Sequence, residues 1–338
     1  MITSDYRLNV FQLPGIVIEP LHAPDLVLST AFVPLPRSRF EVPGILIQSV
    51  DFGGFKVSWQ GLGVYTQSFI LHEGPSTPIQ DLLLAVGLYQ DKLHGEIWVF
   101  NQGYWAKDPD MWRAIQSADW EDVILEEDFK EQIKKDIYGF FESEKLYKNY
   151  GLPWKRGVIL YGPPGNGKTI SIKAVMKDCD ALGFSPMYVK SFRSFMGDEY
   201  GMQLVFDKAR QNAPCVVIIE DLDSLINDAN RSFFLNQLDG LSSNDGLLVI
   251  GTTNHFDRLD PGLSTRPSRF DRKYLFDDPN RRGRRLYVQY WQGKLASSDD
   301  VDFPDSLAEE ITDKTESFSF AYLKEVLPSN DYDASAGR

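Results

Sequence analysis

The sequence predicts an α/β protein: a parallel sheet flanked by helices, with a β-rich N-terminal block before it and a small α-helical segment after it. Three observations predict this. From about residue 119 onward, short apolar runs alternate with amphipathic stretches of helical length, and parallel strands need such crossovers between them. Before that point the chain shows short β-rich runs bordered by Pro or Gly, the pattern of strands separated by turns. From about residue 279 the apolar spacing is helical. The expected organisation is a β-rich domain over 1–118, a large α/β domain over 119–278, and a small helical domain over 279–338.

The totals agree with this division. With 338 residues, and about 150 per domain as a guide, two or three domains are expected. Hydrophobic residues make up 43% of the chain, so it is globular in composition. The net charge of -13 argues against nucleic acid as a partner, because phosphate backbones are bound by a basic face. Cys179 and Cys215 are too few for a disulfide framework. The start, "MITSDYRLNVFQLPG", has no charged-then-apolar leader pattern, and no run of 18 apolar residues appears. The expectation is a soluble intracellular protein without a membrane span, cytoplasmic or nuclear rather than mitochondrial, with an unstructured end at "SNDYDASAGR".

Element by element, the chain reads as follows. "GIVIEPL", "DLVLSTAFVPL", "GILIQSVDFGGFKVSWQG" and "VYTQSFILHEG" read as strands, and "TPIQDLLLAVGLYQ" has helical spacing. "GEIWVFNQGYW" reads as a strand entering a tight turn, and "DPDMWRAIQSA" as a short helix with Asp108 or Asp110 near its start. His22, His72 and His94 stand apart from any metal-ligand spacing, so ordinary surface or core histidines are the plainer reading. "EEDFKEQIKKDIYGFFES" places Phe129, Ile133, Ile137 and Phe140 on one helical face. Strands are then expected at "GVILY", "PMYVKS", "CVVIIED" and "GLLVIGTTN", with helices between them.

"GPPGNGKT", residues 162–169, fits the phosphate-cradling pattern G-x-x-x-x-G-K-[ST] between a strand and a helix. The chemistry requires this arrangement. Gly162, Pro163, Pro164, Gly165, Asn166 and Gly167 form a loop whose backbone N–H groups face phosphates; Ile170 follows at the helix start. Lys168 reaches the terminal phosphates, the Thr169 hydroxyl is a Mg²⁺ ligand, and the helix N-terminus adds a positive dipole end. The plainer alternative, a glycine-rich turn without a ligand, has to explain the second motif as well. "CVVIIEDLD" begins as a buried strand and ends in Glu220, Asp221 and Asp223, 51 residues after Thr169. A carboxylate at such a strand end holds Mg²⁺, and its neighbour orients water. Which of Glu220 and Asp221 takes which role stays open.

"GPPGNGKT", "VVIIEDLD", "GTTN" and "RPSRFDR" together resemble the AAA family of P-loop ATPases, over residues of about 119–325. The resemblance implies ATP and Mg²⁺ as cofactors, ATP hydrolysis, and a ring, usually a hexamer, that remodels or unfolds protein. Residue by residue, it implies Asn254 as the sensor that positions water, Arg269 as the arginine finger reaching a neighbouring subunit, and Arg272 as the second arginine. Without it, a salt bridge to Asp271 is the plainer role for Arg269. It also implies a nucleotide contact from the segment containing Asp122. Phe195, Met196 and Gly197 fall on the loop that grips polypeptide in threading relatives; ordinary packing is the alternative. "FDKARQNAPC" and "RFDR" resemble the protein-threading segregases. "IIEDLD", with Glu before Asp, resembles the mitochondrial Rieske-protein translocase branch, and fungal AAA proteins with a β-rich N-terminal segment are similar as well. The usual family order is Asp then Glu, "SFSFAYL" carries Phe320 where Gly is usual, and the helical lid is short. Alternatives to a threading remodeller are a translocase for folded clients and a nucleotide-gated scaffold with little hydrolysis.

Overall fold

The computed structural model describes residues 92–239, 244–264, 269–296 and 302–333, together with six short strands between residues 21 and 67. The chain forms two units, Met1–Lys92 and Leu93–Arg338. In the first, the described strands pair as antiparallel couples: β1 (Leu21–Ala23) with β2 (Leu26–Leu28), β3 (Glu41–Val42) with β4 (Ile45–Leu46), and β5 (Phe52–Ser58) with β6 (Gly61–Gln67). The helix expected over 77–90 lies outside the described residues.

The second unit is built on a seven-stranded sheet. Its strands are β7 (Ile97–Asn101), β8 (Tyr104–Asp108), β9 (Lys155–Tyr161), β10 (Ser185–Val189), β11 (Cys215–Ile219), β12 (Leu247–Thr253) and β13 (Arg272–Leu275). They lie in the order β13-β9-β12-β11-β10-β7-β8, all neighbours parallel except β7 and β8. The helices are α1 (Pro109–Gln116), α2 (Glu127–Glu142), α3 (Glu144–Asn149), α4 (Lys168–Ala181), α5 (Asp198–Gln211), α6 (Leu222–Leu225), α7 (Arg231–Asp239), α8 (Pro261–Ser264), α9 (Arg281–Leu295), α10 (Asp305–Lys314) and α11 (Phe320–Asp333).

Side chains alternate across a strand, and the two faces of this sheet are both buried. Val158, Leu160, Val216, Ile218, Leu248 and Ile250 pack on one face against α2 and α4, through Ile133, Ile137, Phe140, Ile172 and Val175. Ile159, Val217, Ile219 and Val249 pack on the other against α5 and α7, through Met202, Val205, Phe206 and Phe234. The four apolar residues Val216–Ile219 thus feed both cores, which is why the run is continuous rather than alternating.

Two expectations are corrected. The boundary expected at residue 118 lies at Lys92–Leu93 instead, because the β7–β8 hairpin and α1 belong to the large sheet. β7 pairs with β10 through Met187↔Trp98, Tyr188↔Val99 and Val189↔Phe100. The strand and tight turn are as expected, turning at Gln102 (φ 50°) and Gly103 (φ 92°), and the return strand β8 completes a hairpin that the sequence did not announce. Asp108 caps α1 by accepting from the Met111 N–H at 2.8 Å. Second, α11 runs to Asp333, so residues 329–333 are helical where an unstructured end was expected.

α9, α10 and α11 share a small core of Val288, Ala308, Ile311 and Leu327, with Tyr287 and Trp291 packed on it. No helix among the described residues is long and apolar enough to cross a membrane.

Candidate functional site

The carboxyl ends of β9, β11 and β12 open into a cleft of about 810 Å³. Pro164, Gly165, Gly167, Lys168, Thr169, Ile170, Glu220, Asp221 and Asn254 all line it, as does Asp122. Residues separated by more than 100 positions in sequence therefore meet at one place, at the strand ends where ligands bind in open α/β sheets.

The glycine-rich loop leaves β9 and enters α4 at Gly167, whose left-handed backbone (φ 93°) only a residue without Cβ adopts freely. Lys168 is buried and folded onto the loop, donating to Gly162 O at 2.6 Å and Pro163 O at 2.8 Å. Burial pulls its pKa down, and the nearby Asp221 and Glu220 carboxylates push it back up. Asn166 is buried, and its amide reaches away to Asp278 at 2.8 Å while its oxygen accepts from the Phe320 N–H at 3.2 Å. Its side chain fastens the loop rather than facing the cleft.

The structure brings Glu220, not Asp221, to Thr169. The Thr169 hydroxyl donates to Glu220 Oε1 at 2.9 Å. The Tyr188 hydroxyl donates to the other oxygen of the same carboxylate. Burial and that hydrogen bond both push the Tyr188 pKa up, so the phenol stays a donor. Asp221 sits one residue on, in a left-handed turn (φ 52°, ψ 54°) that breaks the strand and starts α6. Asp tolerates that conformation better than most residues. Its N–H donates to the Thr252 hydroxyl at 3.1 Å. Asp223 is taken up by Thr253, whose hydroxyl donates to it at 2.6 Å. Thr169 and Glu220 together offer hard oxygen donors at the mouth of the loop, the donor type Mg²⁺ takes; the residues fit that ion.

Helical-lid residues close the cleft. The Ala321 N–H donates to Gly165 O at 3.0 Å, and a Cβ on Gly165 would sit 2.7 Å from that of Ala321. Asp122 is engaged by the lid helix α9: it accepts from the Tyr290 hydroxyl and from Lys294 at 2.9 Å. The Tyr290 hydrogen bond, then Lys294, hold its carboxyl below the usual range. Asp122 thus lies at the cleft as expected, with its carboxylate tied to the lid. Tyr287, Tyr290, Trp291, Lys294, Phe320 and Lys324 line the same cleft. Apart from Phe320, which stands in "SFSFAYL", none carries a motif, so only their place in the folded chain reveals them. Tyr188 was equally invisible in sequence, since an isolated Tyr in a strand reads as packing.

Both arginines are engaged within the chain. Arg269 is 9% exposed and grips Asp239 with two nitrogens, Nε at 3.1 Å and Nη2 at 2.7 Å. Its Nη1 donates to Gly262 O at 2.6 Å. Within the chain its carboxylate partner is Asp239, at the end of α7, rather than Asp271. Arg272 is half-exposed and pairs with Asp136 at 3.0 Å. Arg266, in the same run, lies outside the described residues.

Away from the cleft, Phe195 and Met196 stand on the loop between β10 and α5, 86% and 60% exposed. Gly197 caps α5 with φ 93°, and Ser194 braces the turn by donating to Gly197 O at 2.5 Å. The Phe195 ring meets the Tyr200 ring edge-on, with centroids 6.2 Å apart.

A strand–loop–helix that folds a buried lysine over its own carbonyls, beside a carboxylate at the end of β11, defines a P-loop nucleotide-binding domain. The sequence profile of the ATPase family associated with various cellular activities (AAA) matches residues 158–278. Over those residues the chain is similar to that family. It is 34% identical over 222 residues to the ATP-dependent zinc metalloprotease FtsH of Cyanidium caldarium, covering 62% of this chain and 35% of that protein. It is 32% identical over 211 residues to the ATPase family gene 2 protein of Schizosaccharomyces pombe, covering 60% and 25%. Against a putative cell division cycle ATPase of Plasmodium falciparum it is 29% identical over 227 residues, covering 64% and 18%. The chain therefore spans about a third or less of the length of these curated relatives.

Proposed function

We propose that this chain hydrolyses ATP with Mg²⁺ in a ring, hexameric in the usual family manner, and uses the cycle to pull on polypeptide. The observation that carries the ATPase reading is the Thr169–Glu220 hydrogen bond at 2.9 Å, which sets the two oxygen donors side by side next to Lys168. In this reading the backbone of 162–167 cradles the phosphates and Lys168 exchanges its two loop carbonyls for phosphate oxygens. Thr169 and Glu220 hold Mg²⁺, which neutralises charge on the phosphates when bound. Asp221, free of Thr169 and one residue further on, accepts a hydrogen bond from the attacking water and aligns it. Asn254 steadies that water from the end of β12. In this reading Arg269 and Arg272, paired within the chain with Asp239 and Asp136, exchange those partners for a neighbour's nucleotide on assembly.

The polypeptide reading rests on Phe195 and Met196, two apolar side chains held out on a braced loop. An apolar pair costs solvation in the open, so its exposure favours a partner over packing. Turnover is the direct test. Asp221→Asn is expected to lower phosphate release by about a hundredfold or more while nucleotide stays bound. A wild type as slow as this variant would return the chain to the scaffold reading. For the loop, Phe195→Ala is expected to separate ATP consumption from unfolding of a fluorescent reporter with an unstructured tail; unfolding at the wild-type rate would reject a gripping role.

A further inference from the structure

The order Glu-Asp puts a side chain one methylene longer than Asp at the position next to Thr169. A longer acid has an extra torsion and more ways to point, so its preorganisation has to come from somewhere. We propose that Tyr188 is the positioning residue that makes Glu220 work there, by pinning the second carboxylate oxygen so that the first stays directed at Thr169 and the cation. The inference rests on Glu220 being the acid on the Mg²⁺ side of the nucleotide site.

The topology explains why Tyr188 can do this. β10 and β11 run parallel, with Tyr188 opposite Ile218. Glu220 is two residues beyond Ile218, and alternation places Ile218 and Glu220 on the same face. Tyr188 and Glu220 are therefore diagonal neighbours, a separation that an aromatic and a long side chain span together. The two oxygens of Glu220 are divided between Thr169 and Tyr188. An Asp at 220 would end about 1.5 Å earlier, one carbon–carbon bond, and could not bridge both hydroxyls from the same backbone. Tyr188 is otherwise packed into the apolar core on the α2–α4 face, so its ring is already fixed and the hydroxyl needs no ordering of its own. The longer acid and the tyrosine thus act as one unit.

A purely structural account is available: the phenol merely finds a partner for a half-buried hydroxyl. The Tyr188→Phe variant separates the two accounts. If Tyr188 positions Glu220, the Mg²⁺ concentration needed for half-maximal binding of a fluorescent ATP analogue rises by about tenfold, the scale of one charge-assisted hydrogen bond. Binding of the same analogue in EDTA does not follow that rise. In a Glu220→Asp background the hydroxyl is out of reach, so adding Tyr188→Phe changes the Mg²⁺ requirement no further. A Tyr188→Phe protein with wild-type Mg²⁺ dependence overturns the proposal, and so does an equal loss in both backgrounds, which would make the hydroxyl a packing feature. Glu220→Gln separates this from the underlying assignment. If that variant keeps wild-type Mg²⁺ dependence, Glu220 is not on the cation side, and the assignment falls together with the proposal. If it loses that dependence while Tyr188→Phe does not, only the role of Tyr188 falls.

Discussion

Two regions at the carboxyl ends of the sheet's strands are built in opposite ways. At the cleft, the side chains that matter are held before any ligand arrives. Lys168 is bonded to two carbonyls, Glu220 to two hydroxyls, Asp223 to Thr253 and Asp122 to the lid. After β10, the backbone is braced but the side chains are largely uncovered: Phe195 and Met196 are exposed on a turn tied by Ser194 and Gly197, with Phe195 meeting Tyr200 edge-on. The difference matches the task. Catalysis gains from groups that need no reorganisation at the moment of reaction, whereas a surface that takes a partner must leave its apolar atoms uncovered until the partner comes.

That contrast can be broken by substitutions whose effects on stability differ widely. The largest is expected at Arg269, which is held although the family resemblance assigns it to a neighbour. Arg269→Ala removes the two hydrogen bonds Arg269 gives Asp239 and the one it gives Gly262, and hydrogen bonds to a charged group are worth about 1.5–3 kcal/mol. Urea unfolding of the full chain reads this; an unchanged midpoint would mean that these bonds do not hold the fold.

Next comes Gly103, at the turn of the β7–β8 hairpin. A Cβ there would sit 3.0 Å from that of Ser194, at φ 92°. Gly103→Val is expected to cost about 1–3 kcal/mol through backbone strain and the clash. It also displaces the base of the Phe195 loop, so reporter unfolding falls more than ATP turnover. Equal losses would deny that the hairpin supports the loop. Phe195→Ala sharpens the contrast from the released side. Its stability should stay within about 0.5 kcal/mol of wild type, the range of a surface substitution, and a larger change by urea unfolding would show that the ring packs.

The smallest effect is one of pH. Asp122 is held below its ordinary value of 3.8, first by Tyr290 and then by Lys294. Because the folded value is depressed, its contribution is present above 3.8 and is lost as pH falls through the folded value. Stability should therefore fall less steeply with acid in Asp122→Asn than in wild type, and parallel slopes would mean that the lid contact carries no charge linkage.

Much of the large domain could be read from the residues in order. The strand–loop–helix around "GPPGNGKT" is local, since glycines and a following helix are adjacent in the chain. Helix α2 was marked by Ile133, Ile137 and Phe140 at helical spacing, and all three are buried. The continuous run Val216–Ile219 announced a strand covered on both faces. The strand and turn that begin the hairpin at 97–108 were also legible.

What only the tertiary structure decided is pairing across distance. Strand propensity marks the strand and turn that begin 97–108 but not which sheet edge they join, because backbone groups at an edge accept any compatible strand; the edge at β10 settled it. Two adjacent acids are alike in sequence, and their separate surroundings come from the fold: Glu220 ends the strand beside Thr169 and Tyr188, while Asp221 turns away in a left-handed conformation. An arginine carries the same charge whichever carboxylate it meets, and Asp239, 30 residues before Arg269, meets it within the chain. Sequence determines chemistry that is local in the chain. Which carboxylate meets which hydroxyl, and which one each arginine takes, is set by contacts between residues that only folding brings within reach.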